Sequence, residues 1–317
     1  MTKVLVVIPI FNGEKYIAEA IDSVLSQTYQ DFQIVVVDDG SNDNTEKIVL
    51  SYIDKYPSKI KYIRQNNGGA ASARNRGIKS VSSEYVAFVD HDDVWLPEKL
   101  KYNMEVLENK KHLAFVCSEA YRINEHGEII DKLQRLSKDA EDFESLFNRN
   151  FVLTLTVTAR RSSIENVGFF DEKISYSEDY DLWLRLAKHY KYKYIDLPLA
   201  KYRTHSSQKS SNLYMIYANI LKTLKKKEIS NNVNFLTYRK KIAKLYYHLG
   251  EICVQNNNYL QASLDFLHSL NMHPIIGYYI WPDEIKKIRF TFIYRIFRIY
   301  FLCIYFLARA IKNNYLI

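Results

Sequence analysis

The first half of the sequence alternates short apolar runs, rich in β-branched residues, with longer segments whose apolar residues recur at helical spacing. The apolar runs are 4–10, 32–37, 60–63 and 85–89. Helices are predicted between them at 14–27, 45–56 and 70–81, and a further helix is predicted to begin at Pro97, because proline is favoured at the first helical position. Continuous apolar runs of this length are typical of parallel strands that are buried on both faces. The pattern predicts an α/β fold with a Rossmann-like, doubly wound, mostly parallel sheet, whose ligand crevice lies beyond the carboxyl ends of the strands.

The rest of the chain has a different pattern. From about Ala114 the apolar pattern is mixed, with a hairpin turn predicted at 124–127 and a helix at 179–190. After Ser211 only helical spacing remains, and residues 211–284 contain one hairpin that resembles a tetratricopeptide repeat, without a second copy. We therefore expect three parts: 1–210, a helical region at 211–284, and a tail at 285–317.

Basic residues are concentrated in the tail. The chain has 44 lysines and arginines against 36 aspartates and glutamates, a formal charge of +8. Residues 286–317 contain seven basic and no acidic residues, so the other 285 residues are nearly neutral. The apolar run at 299–308 is ten residues long, whereas spanning a bilayer takes about 20.

We expect the tail at 285–317 to be a basic amphipathic helix on an anionic membrane surface. The alternative is a terminal helix docked on the rest of the chain. Nucleic acid is not expected as a partner, because the basic residues alternate with bulky apolar ones and form no solvated stripe. The sequence leaves the oligomeric state open.

Cysteine usage and the N-terminal run indicate a cytoplasmic location. Cys117, Cys253 and Cys303 are far apart and odd in number, so neither a disulfide framework nor a zinc site is indicated. The first apolar run is broken by Asn12 and Gly13 and lacks a small-residue cleavage site, which is typical of a buried strand and not of a signal peptide. With the tail, this predicts a protein peripheral on the inner face of the cell membrane.

Aspartates follow the second and the fourth predicted strands. Asp38 and Asp39 follow one, and Asp90, Asp92 and Asp93 follow the other. Carboxylates packed together repel one another, and a divalent cation can offset their charge. Mg²⁺ and Mn²⁺ prefer oxygen ligands and commonly combine one or two carboxylates with substrate phosphates. An Asp-x-Asp pattern alone is common in solvated turns, so its position at a strand end gives it weight.

Six motifs occur in a fixed order over about residues 1–210. They lie at 6–12, 37–41, 67–75, 88–93, 168–172 and 177–185. In this order and spacing they resemble the large inverting glycosyltransferase family 2, which has the GT-A fold. The resemblance implies a GT-A catalytic domain at 1–210, with a nucleotide-binding half at about 1–110 and an acceptor half at 111–210.

The resemblance implies that residues after the first two strands bind the nucleotide base. Pro9 and Phe11 would flank the base, although the family more often has tyrosine at the position of Phe11. Asp39 would accept a hydrogen bond from the uracil N–H. Its alternative role is to cap the helix that begins at Thr45.

The glycine-rich segment after the third strand is expected to approach the nucleotide. Asn67 lies on it, and glycine lets backbone come close to a ligand. Arg74 would counter the phosphates of the donor, and its alternative is an ordinary surface position on a helix.

The resemblance also implies a metal site. Asp90 would hold the ribose, and Asp92 would coordinate the Mn²⁺ or Mg²⁺ that neutralises charge on the leaving diphosphate. His205 matches a histidine that often completes this site, and Arg203 would contact the diphosphate. The alternative for His205 is a loop histidine, and His91 is taken as a spacer.

An inverting transfer needs a carboxylate that takes the proton of the acceptor hydroxyl as its oxygen attacks the anomeric carbon. Asp179 matches the base of the family, with Glu178 and Asp181 as alternatives. All three could instead be acids that favour the first turn of a helix. Trp183 is expected to pack the helix and not to bind sugar.

The resemblance implies an inverting glycosyltransferase of hexosyl or N-acetylhexosaminyl type. It would move a sugar from a UDP-sugar or related donor to a glycan or lipid-linked acceptor in cell-surface polysaccharide synthesis. One alternative is a sugar nucleotidyltransferase, which would place a glycine-rich phosphate loop directly after the first strand, where this chain has Pro9 to Asn12. Another is a catalytically inactive, membrane-associated scaffold, which the aspartates at the strand ends disfavour.

Overall fold

The computed structural model describes residues 2–133, 141–206, 208, 212–273, 304–306 and 308. The chain divides into two compact units, Met1–Gln208 and Lys209–Ile317. Across the described residues, every helix is too short or too polar to cross a membrane.

The first unit is built on four parallel strands. They are β1 (Thr2–Ile10), β2 (Phe32–Asp38), β3 (Ile60–Arg64) and β4 (Ser83–Phe88), paired in the order β3-β2-β1-β4. The connecting helices are α1 (Ile17–Leu25), α2 (Thr45–Lys55) and α3 (Gly69–Ser80). The chain adds β2 and β3 on one side of β1 and then returns to add β4 on the other side. The predicted α/β fold is confirmed, and the reversal between β1 and β4 is a topological switch point, where open α/β sheets bind ligands.

The core of this sheet is apolar on both faces. The residues of β1 from Val4 to Ile8 are fully buried, as are the four central residues of β2. Helix α3 packs especially closely, because a Cβ atom at Gly77 would lie 2.6 Å from Cγ1 of Val7. Glycine at this position therefore allows the helix to approach β1.

The remaining elements of the first unit extend the sheet. They are β5 (Val94–Trp95), α4 (Lys99–Asn109), β6 (Leu113–Ile123), β7 (Ile129–Leu133), α5 (Phe143–Asn148), β8 (Thr158–Arg160), α6 (Arg161–Val167), α7 (Glu178–His189) and β9 (Lys191–Arg203). In the described residues the full order is β3-β2-β1-β4-β8-β6-β9-β5, with β7 paired to β6. β8 is antiparallel to β4 and β6, whereas β6 and β9 are parallel. The sheet therefore continues without a break from the four parallel strands to β9.

Two local predictions have different outcomes. The hairpin turn between β6 and β7 is confirmed, with Asn124 N–H donating to Glu128 O and Gly127 at φ +86°. The helix predicted to begin at Pro97 is present as α4, but its first residue is Lys99, two positions later. Gln27 accepts a hydrogen bond from the N–H of Leu100 at 2.9 Å, so a side chain from α1's end satisfies the first turn of α4.

The second unit is helical. Its elements are α8 (Leu213–Leu224), α9 (Lys227–Ser230), α10 (Phe235–Gln255) and α11 (Tyr259–Met272). Helices α10 and α11 form a hairpin in which a Cβ atom at Gly250 would lie 2.7 Å from the ring of Phe266. The segment predicted to resemble one tetratricopeptide repeat has this tightly packed form.

The predicted tail at 285–317 lies outside the described residues except for 304–306 and 308. Phe306 is 8% exposed, and its ring stacks on that of Tyr259. The ring centroids are 5.5 Å apart, and the angle between the ring planes is 1°. It also lies 6.3 Å from the ring of Phe266. At Phe306, therefore, the chain packs on the α10–α11 hairpin, while Ile304 and Tyr305 are exposed.

Candidate active site

The end of β1 places one aromatic ring at the surface. Pro9 is buried, and the pairing between β1 and β4 ends before it, at Val7. Because proline has no N–H, its position beyond this pairing costs no hydrogen bond between the two strands. Phe11 is 45% exposed. The loop that carries it is tied to the next one, because Asn12 N–H donates to Ser41 Oγ at 2.9 Å. An exposed ring on a fixed loop is suited to stacking against a flat ligand.

Asp39 holds the start of helix α3. Its Oδ1 accepts from the side-chain amide of Gln65 and from Gly68 N–H, and its Oδ2 accepts from Gly69 N–H, all at 2.8 Å. The alternative that Asp39 caps the helix at Thr45 is wrong, since Asp43 accepts from Thr45 N–H at 3.0 Å. Asp39 therefore fixes the glycine-rich segment next to the switch point, and its carboxylate oxygens have further lone pairs for a ligand.

Asn67 is exposed on that same segment. Gly40 faces it with φ +89°, and a Cβ atom at Gly40 would lie 3.3 Å from Asn67 N. Two loops thus meet closely at the carboxyl ends of β2 and β3. The contact expected between Asn67 and a nucleotide stays a prediction.

Arg74 bridges two carboxylates. Its Nη2 contacts Asp90 Oδ1 and its Nη1 contacts Glu178 Oε1, both at 2.7 Å, and the side chain is 5% exposed. Burial lowers the pKa of Arg74, but the charges of Asp90 and Glu178 outweigh it and raise the pKa above its ordinary value. Both Nη groups of Arg74 contact protein carboxylates in this arrangement. The phosphate contact expected for Arg74 stays a prediction. A plain surface position is wrong for this buried residue.

The other aspartates differ in their partners. Asp38 accepts from Ser41 N–H at 2.7 Å and from the hydroxyl of Tyr62 at 2.6 Å. Asp93 accepts from Arg203 N–H at 2.9 Å, and burial, followed by the charges of Asp92 and Asp90, raises its pKa well above the ordinary range. Protein donors thus account for these two buried carboxylates without a metal ion.

Asp92 lies against His205. Asp92 Oδ2 and His205 Nε2 are 3.0 Å apart, and the two side chains are 14% and 12% exposed. The described residues contain no group of three or more His, Cys, Asp or Glu side chains that could hold a metal ion. A metal here would therefore take two protein ligands and complete its shell from the substrate and water.

The two side chains fit Mn²⁺ or Mg²⁺ in that role. A carboxylate oxygen and an imidazole nitrogen are both suitable ligands for such ions. Asp92 Oδ2 and His205 Nε2 lie 3.0 Å apart, so one ion could contact both side chains.

Arg203 supports this pair from behind. Its side chain is 2% exposed, and its Nε donates to Asp92 O at 2.8 Å. Nη1 donates to the carbonyls of Asn124 and Glu125, and Nη2 pairs with Glu19 Oε2 at 2.5 Å. The donor-binding role expected for Arg203 does not fit, because these protein groups surround its buried guanidinium. The pairing of Glu19 with Arg203 could not be predicted, because Glu19 lies in none of the sequence motifs. An acidic residue in the first turn of a helix such as α1 is usually solvated.

Asp179 stands at the start of α7. Its Oδ2 accepts from the hydroxyl of Thr154 at 2.8 Å, and its Oδ1 accepts from Tyr180 N–H at 2.7 Å. Burial and then the charge of Glu178 raise its pKa to about 6. A carboxylate with that pKa is ionised at neutral pH and more basic than an ordinary one, as a general base requires.

The two alternatives for the base have other partners. Glu178 is paired with Arg74, and Asp181 is fully buried and paired with Arg185 Nε at 2.8 Å within α7. Arg185 also donates to the carbonyls of Val167 and Phe169. The geometry therefore favours Asp179 over both.

The remaining motif residues build the interior. Trp183 is fully buried, with its ring centroid 5.5 Å from that of Phe115 and 6.2 Å from that of Phe170, as expected for a packing residue. Asn75 donates to Phe170 O and accepts from Phe170 N–H, both at 3.0 Å. The motif at 168–172 is thereby attached to α3.

A family model described as "Glycosyl transferase family 2" matches residues 5–168. An uncharacterized glycosyltransferase of Rickettsia typhi is 36% identical over 239 residues, which cover 71% of this chain and 74% of that protein. A relative from Escherichia coli is named UDP-Glc:alpha-D-GlcNAc-diphosphoundecaprenol beta-1,3-glucosyltransferase WfgD. It is 30% identical over 256 residues, which cover 79% of this chain and 92% of that protein.

Solved structures share the fold. TarS 1-349 of S. aureus, in complex with UDP-GlcNAc, has a TM-score of 0.63 at 19% identity and covers 94% of this chain and 89% of its own. The mannosyltransferase PcManGT of Pyrobaculum calidifontis, in complex with GDP-Man and Mn²⁺, has a TM-score of 0.60 at 14% identity and covers 98% of this chain and 87% of its own. These likenesses establish the GT-A fold of the chain. A helical C-terminal region follows it.

Proposed function

The chain belongs to glycosyltransferase family 2, and from that membership we propose that it transfers a sugar from a UDP-sugar, with inversion, to a hydroxyl of a lipid-linked glycan. Membership in a glycosyltransferase family sets aside the nucleotidyltransferase alternative. The proposed donor and acceptor classes follow the name of the E. coli relative, a glucosyltransferase named for UDP-Glc and a diphosphoundecaprenol-linked GlcNAc. TarS with UDP-GlcNAc supports the same nucleotide.

The observation that carries the proposal is the guanidinium of Arg74 between Asp90 and Glu178. Asp90 follows β4 at the switch point, and Glu178 directly precedes Asp179. One side chain therefore holds the proposed donor loop beside the proposed base. Such proximity is what a direct displacement requires, because donor and acceptor must meet in a single site.

The residues have distinct roles in this proposal. Phe11, Pro9 and Asn67 would contact the nucleoside, with Asp39 accepting from the uracil N–H. Asp90 would hold the ribose. A divalent cation held by Asp92 and His205 would offset the negative charge of the diphosphate.

Asp179 would take the proton of the acceptor hydroxyl as that oxygen bonds to the anomeric carbon. The bond from the anomeric carbon to the diphosphate breaks at the same time, and its electron pair leaves with UDP. Attack from the side opposite the diphosphate inverts the configuration at that carbon.

We also propose that the protein is peripheral at the inner face of the cell membrane, where a lipid-linked acceptor would be found. The basic composition of 286–317 supports an anionic surface as the partner. Phe306, packed on α10–α11, supports a tail that also contacts its own helical unit.

The proposed function is tested by measuring UDP release from a panel of UDP-sugars with Mn²⁺, with and without a polyprenol diphosphate carrying GlcNAc. Transfer from at least one UDP-sugar is expected, with the opposite anomeric configuration in the product. Asp179→Asn should reduce turnover about 10²- to 10⁴-fold, which is typical for loss of a general base, and leave UDP binding unchanged. Glu178→Gln serves as the comparison, and an active Asp179→Asn protein would reject Asp179 as the base.

A further inference from the structure

The carboxylate of Asp179 is held at both oxygens. Tyr180 N–H occupies Oδ1, and the hydroxyl of Thr154 occupies Oδ2. The first contact comes from the neighbouring residue, whereas the second comes from a part of the chain 25 residues away. Thr154 is 6% exposed, so this hydroxyl has little access to solvent.

Thr154 begins a short 3₁₀ turn, Thr154–Thr156, which leads into β8. Three side chains donate to successive carbonyls of this segment: Trp95 Nε1 to Leu155 O at 2.7 Å, Asn103 Nδ2 to Thr156 O at 3.1 Å, and Lys99 Nζ to Val157 O at 3.2 Å. Asn103 and Lys99 also donate to Thr158 Oγ1, at 2.9 and 3.1 Å. The backbone that carries Thr154 is therefore fixed over its whole length.

Lys99 shows how firmly this turn is held. Its side chain is completely buried, and burial lowers the pKa of its amine well below the ordinary value. The ring of Trp95 lies 3.7 Å from Nζ. Burying an amine is unfavourable unless it donates hydrogen bonds, and here it donates to the Val157 carbonyl and to the Thr158 hydroxyl.

The supporting side chains belong to the segment that directly follows Asp90 to Asp93. Trp95 is in β5, and Lys99 and Asn103 are in α4. The loop with Asp92 and the turn with Thr154 thus share one support. A side chain on that turn can hold the base in register with the proposed donor loop.

We propose that Thr154 is a positioning residue of the transfer reaction, whose hydroxyl fixes the orientation of the Asp179 carboxylate and favours its ionised form. This proposal rests on the role of Asp179 as general base. Fixing a base in a single orientation contributes to rate because the proton acceptor is already aligned when the acceptor hydroxyl binds.

Several groups around Asp179 shift its pKa, and the Thr154 hydroxyl is one of them. Burial and then the charge of Glu178, its neighbour on α7, raise the pKa of Asp179. The Thr154 hydroxyl, Arg74 from α3 and the Tyr180 N–H lower it. Removing the hydroxyl leaves the opposing influences in place. The pKa of the base should therefore rise when Thr154 is replaced by a residue without a donor.

The test compares Thr154→Val with Thr154→Ser across pH 5 to 9, using UDP release from the best UDP-sugar of the panel. Losing a hydrogen bond to an ionised carboxylate is expected to raise its pKa by about one unit. Thr154→Val should shift the acidic limb of kcat upward by about one unit and lower kcat at pH 6 about fivefold, because the ionised fraction of Asp179 falls from about one half to about one tenth. The KM for the UDP-sugar and the Kd for UDP should not change, and Thr154→Ser should restore the wild-type profile.

Thr156→Val is the matched control. It removes another hydroxyl of the same turn, one that donates to Leu153 O at 2.7 Å and not to Asp179. It should lower thermal stability without moving the pH profile. If Thr154→Val fails to fold by circular dichroism, Thr154→Ala provides the same loss of donor without a branched side chain.

The outcomes separate the two proposals. An acidic limb that stays in place in Thr154→Val, or that moves equally in Thr156→Val, overturns the positioning role. If Asp179→Asn retains full turnover, the base assignment itself fails. An inactive Asp179→Asn protein together with an unshifted Thr154→Val protein rejects Thr154 alone.

Discussion

The environment of Asp179 sets the pH dependence expected of the reaction. Its pKa of about 6 means that the carboxylate is protonated at low pH and cannot accept a proton there. We predict that kcat rises about tenfold per pH unit below pH 6 and levels off above it. Steady-state kinetics on UDP release at saturating donor would check this, and a midpoint near the ordinary value of 3.8 would contradict the buried environment.

The same raised pKa affects stability with a defined sign. The folded state binds a proton more tightly than the unfolded chain, so ionisation of Asp179 disfavours folding at pH values above its unfolded pKa. Asp179→Asn should therefore be more stable than the wild type, by a margin that grows from pH 3.8 to about 6 and is constant above. Urea unfolding at several pH values measures this margin, and a constant difference across the range would argue against the raised pKa.

The Asp92 and His205 pair predicts a metal that binds together with the nucleotide. Two protein ligands leave most of the coordination shell to the diphosphate and water. Asp92→Asn and His205→Gln should each reduce Mn²⁺-dependent turnover on the order of 100-fold and weaken UDP binding in Mn²⁺ but not in EDTA. Isothermal titration with UDP measures this, with the exposed Asp54→Asn as the control. Full wild-type activity in excess chelator would contradict the metal site.

At the residue scale, candidate site residues could be chosen from the sequence, but the groups that contact each of them could not be predicted. Asp39, Asp90, Asp92, Asp179 and His205 could be selected because their motifs resemble a family whose chemistry needs carboxylates and a metal. The roles of the arginines could not be predicted, because a sequence does not show which carboxylates surround a guanidinium. Arg74 and Arg203 were both expected at the phosphates, yet both are buried against protein groups. Nothing in the local sequence of Thr154 marks its contact with a residue so distant in the chain.

At the element scale, the close contact between α3 and β1 predicts a sensitive position. Gly77→Ala would place a methyl group 2.6 Å from Val7 Cγ1, and overpacking of a buried interface typically costs about 1–3 kcal/mol. Alanine's higher helix propensity would offset up to about 1 kcal/mol of this cost. We predict a lower melting temperature for Gly77→Ala, measured by differential scanning calorimetry.

The control on the same helix is Arg76→Ala, at an exposed position. It should change stability by less than about 0.5 kcal/mol. Val7→Ala makes room for the new methyl, so the double variant should be less destabilised than the two single variants added together. Strict additivity would mean that the helix shifts away from the strand instead.

The strands and helices of the first half could be predicted because the spacing of the apolar residues and the positions of the turn residues indicate the same element boundaries there. β1 to β4 and α1 to α3 occur where the apolar runs and the helical spacing placed them. The order of strands beyond β4 could not be derived, since β8, β6 and β9 join through both parallel and antiparallel pairing. Short strands such as β5 and β8 contain too few residues for a period to be visible.

For the whole molecule, the charge distribution predicts salt-sensitive binding to anionic vesicles. Each basic residue near such a surface contributes about 1 kcal/mol. Replacing four tail residues by glutamine should weaken cosedimentation with phosphatidylglycerol vesicles on the order of 100-fold or more. The four residues are Arg295, Arg298, Arg309 and Lys312. These substitutions leave Phe306 in place, so its packing on Tyr259 is not disturbed as it would be by deleting the tail.

The control removes the same charge from the first unit. It replaces four exposed basic residues by glutamine: Lys47, Lys55, Arg76 and Lys101. Vesicle binding should survive this change, because only the net charge is altered and the tail is intact. Equal loss of binding in both variants would show that overall charge, and not the tail, attracts the protein to the membrane.

The bridge formed by Arg74 has a consequence for recombination among members of the family. The bridge has three members: Arg74 from α3, Asp90 just after β4, and Glu178 at the start of α7. A chimaera whose crossover falls between Asp90 and Glu178 takes the cation from one parent and one of its anions from the other. If that parent has an uncharged residue in place of Glu178, the hybrid buries a guanidinium with only one counter-ion. Chimaeras that take Arg74, Asp90 and Glu178 from the same parent should therefore yield folded, active proteins more often than chimaeras that take them from different parents.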